Sequence, residues 1–262
     1  MLKTRILSAA VFAPALLGVV YVGGLWLHGV CALLALLAFW ELSRMFGIAE
    51  RPFEALVGYL GTSAIAGSAL GYIDNALAIL VLVSLLAFLA VLKSPAPLEG
   101  AHHRVSNLLL AMAYAGVLLP MLGRLRDMDE GLGFCLAAIF CTWGSDTGAY
   151  FAGKALGKRK LFELVSPKKT LEGAIGGVIC GGLVGLIVQQ LFAPSLSQVE
   201  AFGLGVIAAV VGAIGDLGES LLKRSTGIKD SSQLIPGHGG VLDRFDGVMF
   251  SAGAVYLYLT LF

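Results

Sequence analysis

A polar stretch close to the C-terminal end of the sequence contains the residue types that chemistry on phosphates requires. It runs from Ser220 to Asp246 between two hydrophobic segments, and it combines cationic side chains, carboxylates, a histidine and a run of glycines. Glycines allow a backbone to approach a ligand closely, and cations bind phosphates. Asp243 and Asp246 are three positions apart, so they share one face if the segment is helical. Because Mg²⁺ takes oxygen ligands and shares them with substrate phosphates, the stretch predicts a metal–phosphate site.

Further carboxylates lie upstream of this stretch. Asp216, Glu219 and Lys223 follow one another at i, i+3 and i+7, so a helix presents them on one side. A simple buried ion pair between Asp216 and a lysine is the alternative interpretation. Asp146 interrupts an apolar run, where a carboxylate costs roughly 2.5–3.5 kcal/mol. It must therefore face the protein interior, a cation or water, although its small neighbours also fit ordinary helix packing.

Together these acidic residues predict a cation site. Carboxylates gathered in one place repel one another unless metal ions neutralise them. The candidate ligands are Asp146, Asp216, Glu219, Asp243 and Asp246. Asp216 and Asp246 are preferred, since they lie at opposite ends of the polar region and the chain between them can fold back. The other three are expected to be weaker ligands or partners of the ligands.

A second basic segment stands ahead of a hydrophobic run and reads Ser166-Pro167-Lys168-Lys169-Thr170-Leu171-Glu172-Gly173. Proline at an early position with a serine ahead of it is typical of a helix start. The free N–H groups of that start, together with the two lysines, would bind a phosphate. The alternative is an ordinary capped helix whose lysines mark the cytoplasmic side of a membrane.

The elements that must position these residues are membrane helices. The chain has 262 residues, of which 58% are hydrophobic and 13% charged, against about 25% charged in an average soluble domain. Its mean hydropathy is +0.88. Repeated apolar runs of about 20 residues predict an all-α, polytopic integral membrane protein. The net charge of +1 gives no reason to expect nucleic acid as a partner, and the four cysteines are interpreted as buried apolar residues without ligand spacing.

Nine transmembrane helices are predicted, in a single transmembrane domain that covers residues 1–262. The expected spans are 5–22, 25–46, 53–71, 75–92, 105–122, 131–152, 173–191, 201–222 and 247–262. With a cytoplasmic N-terminus and an extracytoplasmic C-terminus, every Lys and Arg except Arg124 and Arg126 lies inside, as the positive-inside rule requires. The basic loops 153–172 and 223–246 are then cytoplasmic and belong to a catalytic half, 131–262.

The N-terminal helices, residues 1–130, carry no evident chemistry. Their few polar residues, including His28 and Glu41, lie near the ends of predicted spans. They are interpreted as interfacial side chains that reach toward the membrane surface. Small-residue helix faces elsewhere in the chain allow two copies to associate closely as a homodimer.

The polar stretch resembles the signature of the phosphatidate cytidylyltransferases, also called CDP-diacylglycerol synthases. That signature reads serine, two residues, Lys-Arg, four residues, Lys-Asp and then His-Gly-Gly-x-x-Asp-Arg-x-Asp, and the segment from Ser220 to Asp246 matches it without departure. The segments Trp143–Tyr150, Ser166–Gly173 and Gly215–Ser220 are similar to the remaining motifs of the family. The N-terminal 130 residues match the family only in hydropathy.

The resemblance implies a reaction in which CTP and phosphatidic acid give CDP-diacylglycerol and pyrophosphate. It implies a site for two cations, at least one of them Mg²⁺, and an attack of the lipid phosphate on the α-phosphorus of CTP. The residues expected to be catalytic are Asp216, Asp246, Lys169, Lys223, Asp243 and Arg244. The residues expected to bind substrate are Ser166, Lys168, Thr170, Glu172, Ser220, Arg224, Lys229, His238, Gly239 and Gly240.

Two other classes of protein fit part of the pattern. A CTP-dependent lipid kinase would share the nucleotide chemistry but transfer the γ-phosphate. A cation-coupled transporter would also bury carboxylates in helices, although its two halves would normally repeat. The expected enzyme must accept a soluble nucleotide and a lipid that stays in the bilayer. We therefore expect an integral protein of the bacterial inner membrane, with an active site that contacts membrane lipid and faces the cytoplasm.

Overall fold

The computed structural model describes residues 2–95, 97–235, 237 and 239–261, with the backbone alone for residues 2–9. The helices are α1 (Leu2–Val22), α2 (Gly24–Met45), α3 (Pro52–Ala69), α4 (Ala76–Lys93), α5 (Ala101–Leu118), α6 (Met121–Arg126), α7 (Gly131–Leu156), α8 (Leu171–Phe192), α9 (Gln198–Ser225) and α10 (Leu242–Leu261). The two strands are β1 (Lys160–Phe162) and β2 (Ser166–Thr170), and a short 3₁₀ helix, Ile48–Glu50, precedes α3. His238, a predicted substrate-binding residue, lies outside the described residues.

Nine helices of 18 residues or more occur in the described part of the chain, at the places where the nine spans are predicted. The fold class, an all-α membrane protein, is confirmed at this level. Among the described residues, five helical segments are long and apolar enough to cross a bilayer. They are Gly24–Met45, Ala76–Lys93, Ala101–Arg126, Leu171–Phe192 and Gln198–Ser225. The count of nine spans and the orientation of the termini stay predictions.

The segment from Ser166 to Thr170 is a strand, so the prediction of a helix start at Ser166 is wrong. β2 pairs antiparallel with β1, with Lys160 opposite Thr170 and Phe162 opposite Ser166. A proline is compatible with this position, because both strands of a two-stranded sheet are edges and need not donate every N–H. α8 begins directly after β2, and the Thr170 hydroxyl accepts the Gly173 N–H at 3.2 Å as its N-cap.

The chain divides into two compact units. The first unit contains Met1–Arg124 together with Asp230–Asp243, and the second contains Leu125–Lys229 together with Arg244–Phe262. Much of the polar stretch therefore belongs to the same unit as the N-terminal helices, although it follows α9 in the sequence.

In the first unit, α3 packs closely against α2 and α5 through glycines. A Cβ at Gly58 would overlap the ring of Phe39 on α2, and one at Gly61 would overlap the sulfur of Met112 on α5. Phe39 and Met112 are completely buried. The large side chains thus fill the space that the glycines leave open, which gives this unit a close-packed interior.

In the second unit, α8 lies between α7 and α9 at backbone contact distance. A Cβ at Gly177 would be 2.8 Å from the main-chain oxygen of Ser145 on α7, and one at Gly185 would overlap that of Ala201 on α9. Such stripes of small residues are typical of contacts between membrane helices. Another face of α8 exposes large apolar side chains that suit lipid: Ile175, Ile179, Leu183, Ile187 and Leu191.

Candidate active site

The carboxylate of Asp216 and the ammonium group of Lys169 form the centre of the candidate site. Asp216 lies on α9, and Lys169 lies on β2 just ahead of α8. Lys169 Nζ is 2.5 Å from Asp216 Oδ2, and the two side chains are 29% and 32% exposed. The hydroxyl of Ser220, one turn further along α9, donates to the other carboxylate oxygen at 3.5 Å. The fold thus joins the basic segment and the acidic segment that the sequence predicts to be functional.

A second ion pair lies further along α9. Lys223 contacts Glu219 four positions away, and both side chains are buried. Asp216, Glu219 and Lys223 are all on α9, as predicted. Asp216 and Glu219 each have a lysine beside them, but the Asp216–Lys169 pair is partly exposed and not the simple buried pair that the sequence left open.

Three of the predicted carboxylates are neighbours: Asp146 on α7, Asp216 on α9 and Asp246 on α10. Their charges act on one another. The charge of Lys169 also acts on Asp146, and that of Lys223 acts on Asp246. α9 and α10 approach closely here, since a Cβ at Gly215 would be 2.5 Å from the main-chain oxygen of Asp246. Within the described ranges, however, no set of three or more His, Cys, Asp or Glu side chains converges tightly enough to hold a metal ion. Ligation by the carboxylates stays a prediction.

A cavity of about 610 Å³ lies beside the Lys169–Asp216 pair, within the second unit. Its polar lining includes Asp146, Lys168 and Lys169. Its apolar walls come mainly from α8 and α9 and include Val178, Val210 and Ile214. A cavity with a cationic edge and apolar walls suits a ligand that combines an anionic head with an apolar body.

The β1–β2 hairpin, which presents Lys168 and Lys169 to the cavity, is held at its base by Glu172. Glu172 Oε2 accepts the backbone N–H groups of Lys158 at 3.0 Å and Arg159 at 3.2 Å. Glu172, which is predicted to bind substrate, therefore also positions the hairpin. Arg224 has a similar contact at the end of α9, where it donates to the Ile228 carbonyl at 3.0 Å.

Several other predicted residues of the second unit keep surface that a substrate can reach. Lys168 and Lys229 are exposed, and Ser166 is half-buried at the start of β2. Arg244 is exposed in the first turn of α10. Their roles in binding or catalysis stay predictions.

In the first unit, the described residues between Asp230 and the start of α10 form a loop organised by Asp243. Asp243 Oδ2 accepts the Ser231 N–H at 2.8 Å, the Ser231 hydroxyl at 2.7 Å and the Gly240 N–H at 2.8 Å. These contacts draw the two ends of the loop together. The prediction that Asp243 also acts in catalysis or binds a metal stays untested.

Glu41 on α2 holds the same loop, and the sequence analysis missed it. Its side chain is completely buried, so the interpretation as an interfacial side chain is wrong. Its carboxylate accepts three hydrogen bonds from the loop: the hydroxyl of Ser232 at 2.6 Å and the N–H groups of Val241 and Leu242 at 2.8 Å each. The Ser231 hydroxyl is 3.0 Å from Glu41 Oε2 and 2.7 Å from Asp243 Oδ2, and its single proton is shared between these two carboxylates. The signal was available, because a carboxylate within an apolar helix needs polar partners.

The glycines of the loop make room for these two carboxylates. A Cβ at Gly240 would overlap Glu41 Oε1, and one at Gly239 would be 2.5 Å from Asp243 Oδ2. Gly239 also has a φ of +81°, which side-chain-bearing residues rarely adopt. The sequence suggested that these glycines make room for a ligand, whereas the space beside them holds the protein's own acidic groups. Direct contact of the two glycines with substrate stays a prediction.

The chain belongs to the cytidylyltransferase family, because the model of that family matches residues 3–262. The match includes the N-terminal helices, for which the motifs gave no information. The family resemblance that the motifs predicted is therefore confirmed, and it extends over the whole chain.

Relatives named phosphatidate cytidylyltransferase are similar to this chain along almost its entire length. One from Staphylococcus saprophyticus is 35% identical over 257 residues, which are 95% of each chain. One from Bacillus subtilis is 32% identical over 269 residues, which cover 100% of this chain and 98% of the relative. One from Staphylococcus aureus is 35% identical over 257 residues, again 95% of each chain.

Proposed function

We propose that the protein is a phosphatidate cytidylyltransferase, which makes CDP-diacylglycerol and pyrophosphate from CTP and phosphatidic acid. The observation that carries this function is the similarity, along nearly the whole chain, to relatives with that name. The cavity beside Lys169 supports it, because the cavity combines cationic and apolar walls. These relatives favour neither a lipid kinase nor a cation-coupled transporter.

In this proposal the lipid substrate occupies the cavity of the second unit. Its phosphate contacts Lys168 and Lys169, and its acyl chains follow the apolar walls at Val178, Val210 and Ile214. Lipid chains are about as well accommodated in the bilayer as among apolar side chains. The apolar walls therefore provide access for the lipid, whereas the lysines provide recognition of its phosphate.

The triphosphate of CTP is neutralised by the other basic residues of the polar stretch. These are Lys223, Arg224, Lys229 and Arg244, which lie at the end of α9, in the following loop and at the start of α10. Arginine binds phosphate oxygens in pairs through its planar fork, and lysine acts as a compact charge. Ser220 on α9 adds a hydroxyl group to this set, and Ser166 and Thr170 add two more from β2.

Mg²⁺ fits the acidic residues of the site. Asp216 and Asp246 offer hard oxygen ligands, and a bound cation would relieve the repulsion between their charges. The metal would supply stabilisation of the negative charge that develops on the reacting phosphates. Asp146, Glu219 and Asp243 are further candidate ligands. The proposal includes a second cation close by.

The reaction is an in-line displacement. A phosphate oxygen of phosphatidic acid attacks the α-phosphorus of CTP, the bond from that phosphorus to the bridging oxygen breaks, and pyrophosphate leaves with the electron pair. The lipid phosphate is already an anionic nucleophile, so no general base is required. In this proposal Lys169 releases Asp216 and pairs with the lipid phosphate, so its ammonium group always has an anionic partner.

The proposal includes the arrangement in the membrane. Nine spans with a cytoplasmic N-terminus put both basic loops on the cytoplasmic side of a bacterial inner membrane, and a homodimer associates through small-residue helix faces. Reporter fusions after Phe262 and beside Lys158 test the orientation. They should report opposite sides of the membrane, and reports from the same side would contradict it.

Product analysis tests the activity itself. Purified protein is incubated with CTP, Mg²⁺ and phosphatidic acid, and the expected products are a cytidine-containing lipid and pyrophosphate. A phosphorylated lipid together with CDP would indicate a lipid kinase instead. The Asp216→Asn variant, prepared in the same way, controls for a contaminating enzyme.

A further inference from the structure

Glu41 is a buried carboxylate with four donors that come from one loop far along the sequence. Oε1 accepts the Ser232 hydroxyl and the Val241 N–H, and Oε2 accepts the Leu242 N–H and shares the Ser231 hydroxyl proton with a second carboxylate. A fully buried charged group is tolerated only when it is paired or hydrogen-bonded. Three charge-assisted hydrogen bonds and the shared proton of Ser231 meet that condition here, and charge-assisted bonds are roughly twice as strong as neutral ones.

These contacts hold both ends of the loop on the same group. The two serines stand at the beginning of the loop and the two N–H donors at its end, so one carboxylate fixes the separation of the ends. Asp243 binds Ser231 and Gly240 as well. The loop is therefore clamped by one carboxylate of its own and by a second from α2.

Glu41 also helps to determine where α10 begins. The first N–H groups of a helix have no partner within it, and Val241 and Leu242, at the start of α10, donate theirs to Glu41. An anion at this end of a helix interacts favourably with the helix dipole. Arg244 and Asp246 belong to the first turns of the same helix. If the helix began at a different residue, the conformation of the chain at these two residues would change.

We infer that Glu41 is a positioning residue for cytidylyl transfer. It holds Ser231 and Ser232 together with Val241 and Leu242, on either side of the predicted substrate-binding residues Gly239 and Gly240, without touching substrate. This role rests on the proposed function, since it takes the loop to be part of the active site.

The test begins with Glu41→Gln, which keeps the size of the side chain. The serine hydroxyls can rotate to accept from the new amide, but the N–H groups of Val241 and Leu242 only donate. One of them therefore loses its acceptor. We expect kcat for CDP-diacylglycerol formation to fall about tenfold or more, which is about 1.4 kcal/mol. KM for phosphatidic acid should stay within about twofold, because the lipid cavity is lined by other residues.

Glu54→Gln is the matched control, because Glu54 is an equally buried glutamate in the first unit. It pairs with Arg51 and Arg104 rather than with the loop. Its replacement should lower the melting temperature at least as much as Glu41→Gln, while kcat per folded molecule stays within about twofold of the wild type. A general loss of stability would instead reduce kcat in both variants alike.

Hydrogen–deuterium exchange supplies a readout that does not depend on turnover. In detergent or nanodiscs, Glu41→Gln should raise deuterium uptake in peptides that cover residues 231–242, and Glu54→Gln should not. If Glu41→Gln does not fold, Ser232→Ala removes a single donor to Glu41 and should raise the same uptake and lower kcat about twofold to threefold. Ser43→Ala, also on α2, is its control, because the Ser43 hydroxyl bonds only within its own helix turn, to the Trp40 carbonyl.

The outcomes separate the two proposals. If the wild-type protein makes no CDP-diacylglycerol, the proposed function is overturned, and the role of Glu41 in that function is overturned as well. If the wild type is active but Glu41→Gln keeps full kcat, or shows unchanged deuterium uptake in residues 231–242, only the role of Glu41 is overturned. Reduced kcat together with raised uptake, both absent in Glu54→Gln, supports it.

Discussion

Glu41 and Asp216 are both carboxylates on hydrophobic helices, yet their charges are compensated in different ways. Glu41 is fully buried and is surrounded by backbone and hydroxyl donors of one loop. Asp216 is about one third exposed and faces the ammonium group of Lys169 beside a cavity. A carboxylate bound by fixed donors serves the fold, whereas one that faces a single flexible lysine can exchange that partner for a metal ion or a substrate.

The largest expected effect comes from the two aspartates that are the preferred candidate ligands for Mg²⁺. Asp216→Asn and Asp246→Asn should each reduce cytidylyl transfer at least about 1,000-fold, which is about 4 kcal/mol. Asparagine keeps the size of the side chain and one oxygen but removes the charge, so Mg²⁺ is held more weakly. The measurement is turnover across a Mg²⁺ titration, with folding checked by thermal melting.

The double variant sharpens this prediction. If both aspartates hold one metal site, Asp216→Asn with Asp246→Asn should be hardly worse than either single change, because groups that act as a unit are not additive. A single variant with near-normal turnover at low Mg²⁺ would show that the aspartate in question is not a ligand. Asp146, Glu219 or Asp243 would then take its place.

Lys169→Ala should have the next largest effect. Removal of the ammonium group leaves the lipid phosphate with Lys168 alone and Asp216 without its lysine partner, so kcat/KM should fall about 10-fold to 100-fold. Lys158→Ala is the control, since it removes an equal charge from the same predicted cytoplasmic loop. If kcat/KM of Lys169→Ala stays within about twofold of the wild-type value, or if both variants lose the same activity, Lys169 has no specific role in the reaction and only marks the cytoplasmic side of the membrane.

Gly240→Ala tests the other side of the comparison, the fixed environment of Glu41. The added methyl group would overlap Glu41 Oε1 and the Ser231 hydroxyl, so the loop must shift. We expect a lower melting temperature and a roughly tenfold lower kcat. Gly29→Ala on α2 is the control, because no atom lies within 4 Å of its Cβ position. Equal behaviour of the two variants would contradict the close packing of the loop on Glu41.

The positions of the long helices could be predicted from the sequence because apolar runs report them directly. α2 begins and ends within one residue of its predicted span, whereas α7 continues four residues beyond its own, to Leu156. The hairpin could not be predicted in the same way. Ser166-Pro167 fits both a helix start and an edge strand, and the choice depends on pairing with β1, which local propensity does not contain.

The candidate site was predictable where residues share one element and less so where distant elements meet. The i, i+3 and i+7 spacing correctly puts Asp216, Glu219 and Lys223 on one helix. It does not reveal that Asp216 pairs with Lys169 on the hairpin. The contacts of Glu41 join residues about 190 positions apart, and no periodicity in the sequence points to them.

The smallest effect should come from the cysteines, since they take no part in either kind of carboxylate site. All four are free thiols; Cys31, Cys135 and Cys141 are buried, and Cys180 is half-buried. Replacement of the first three by Ala and of Cys180 by Ser should lower the melting temperature, because buried volume is lost. Turnover per folded molecule and the Mg²⁺ dependence should stay within about twofold of the wild type. A changed requirement for metal in this variant would contradict a site built from oxygen ligands alone, and thiolate ligands would then replace carboxylates in the proposed chemistry.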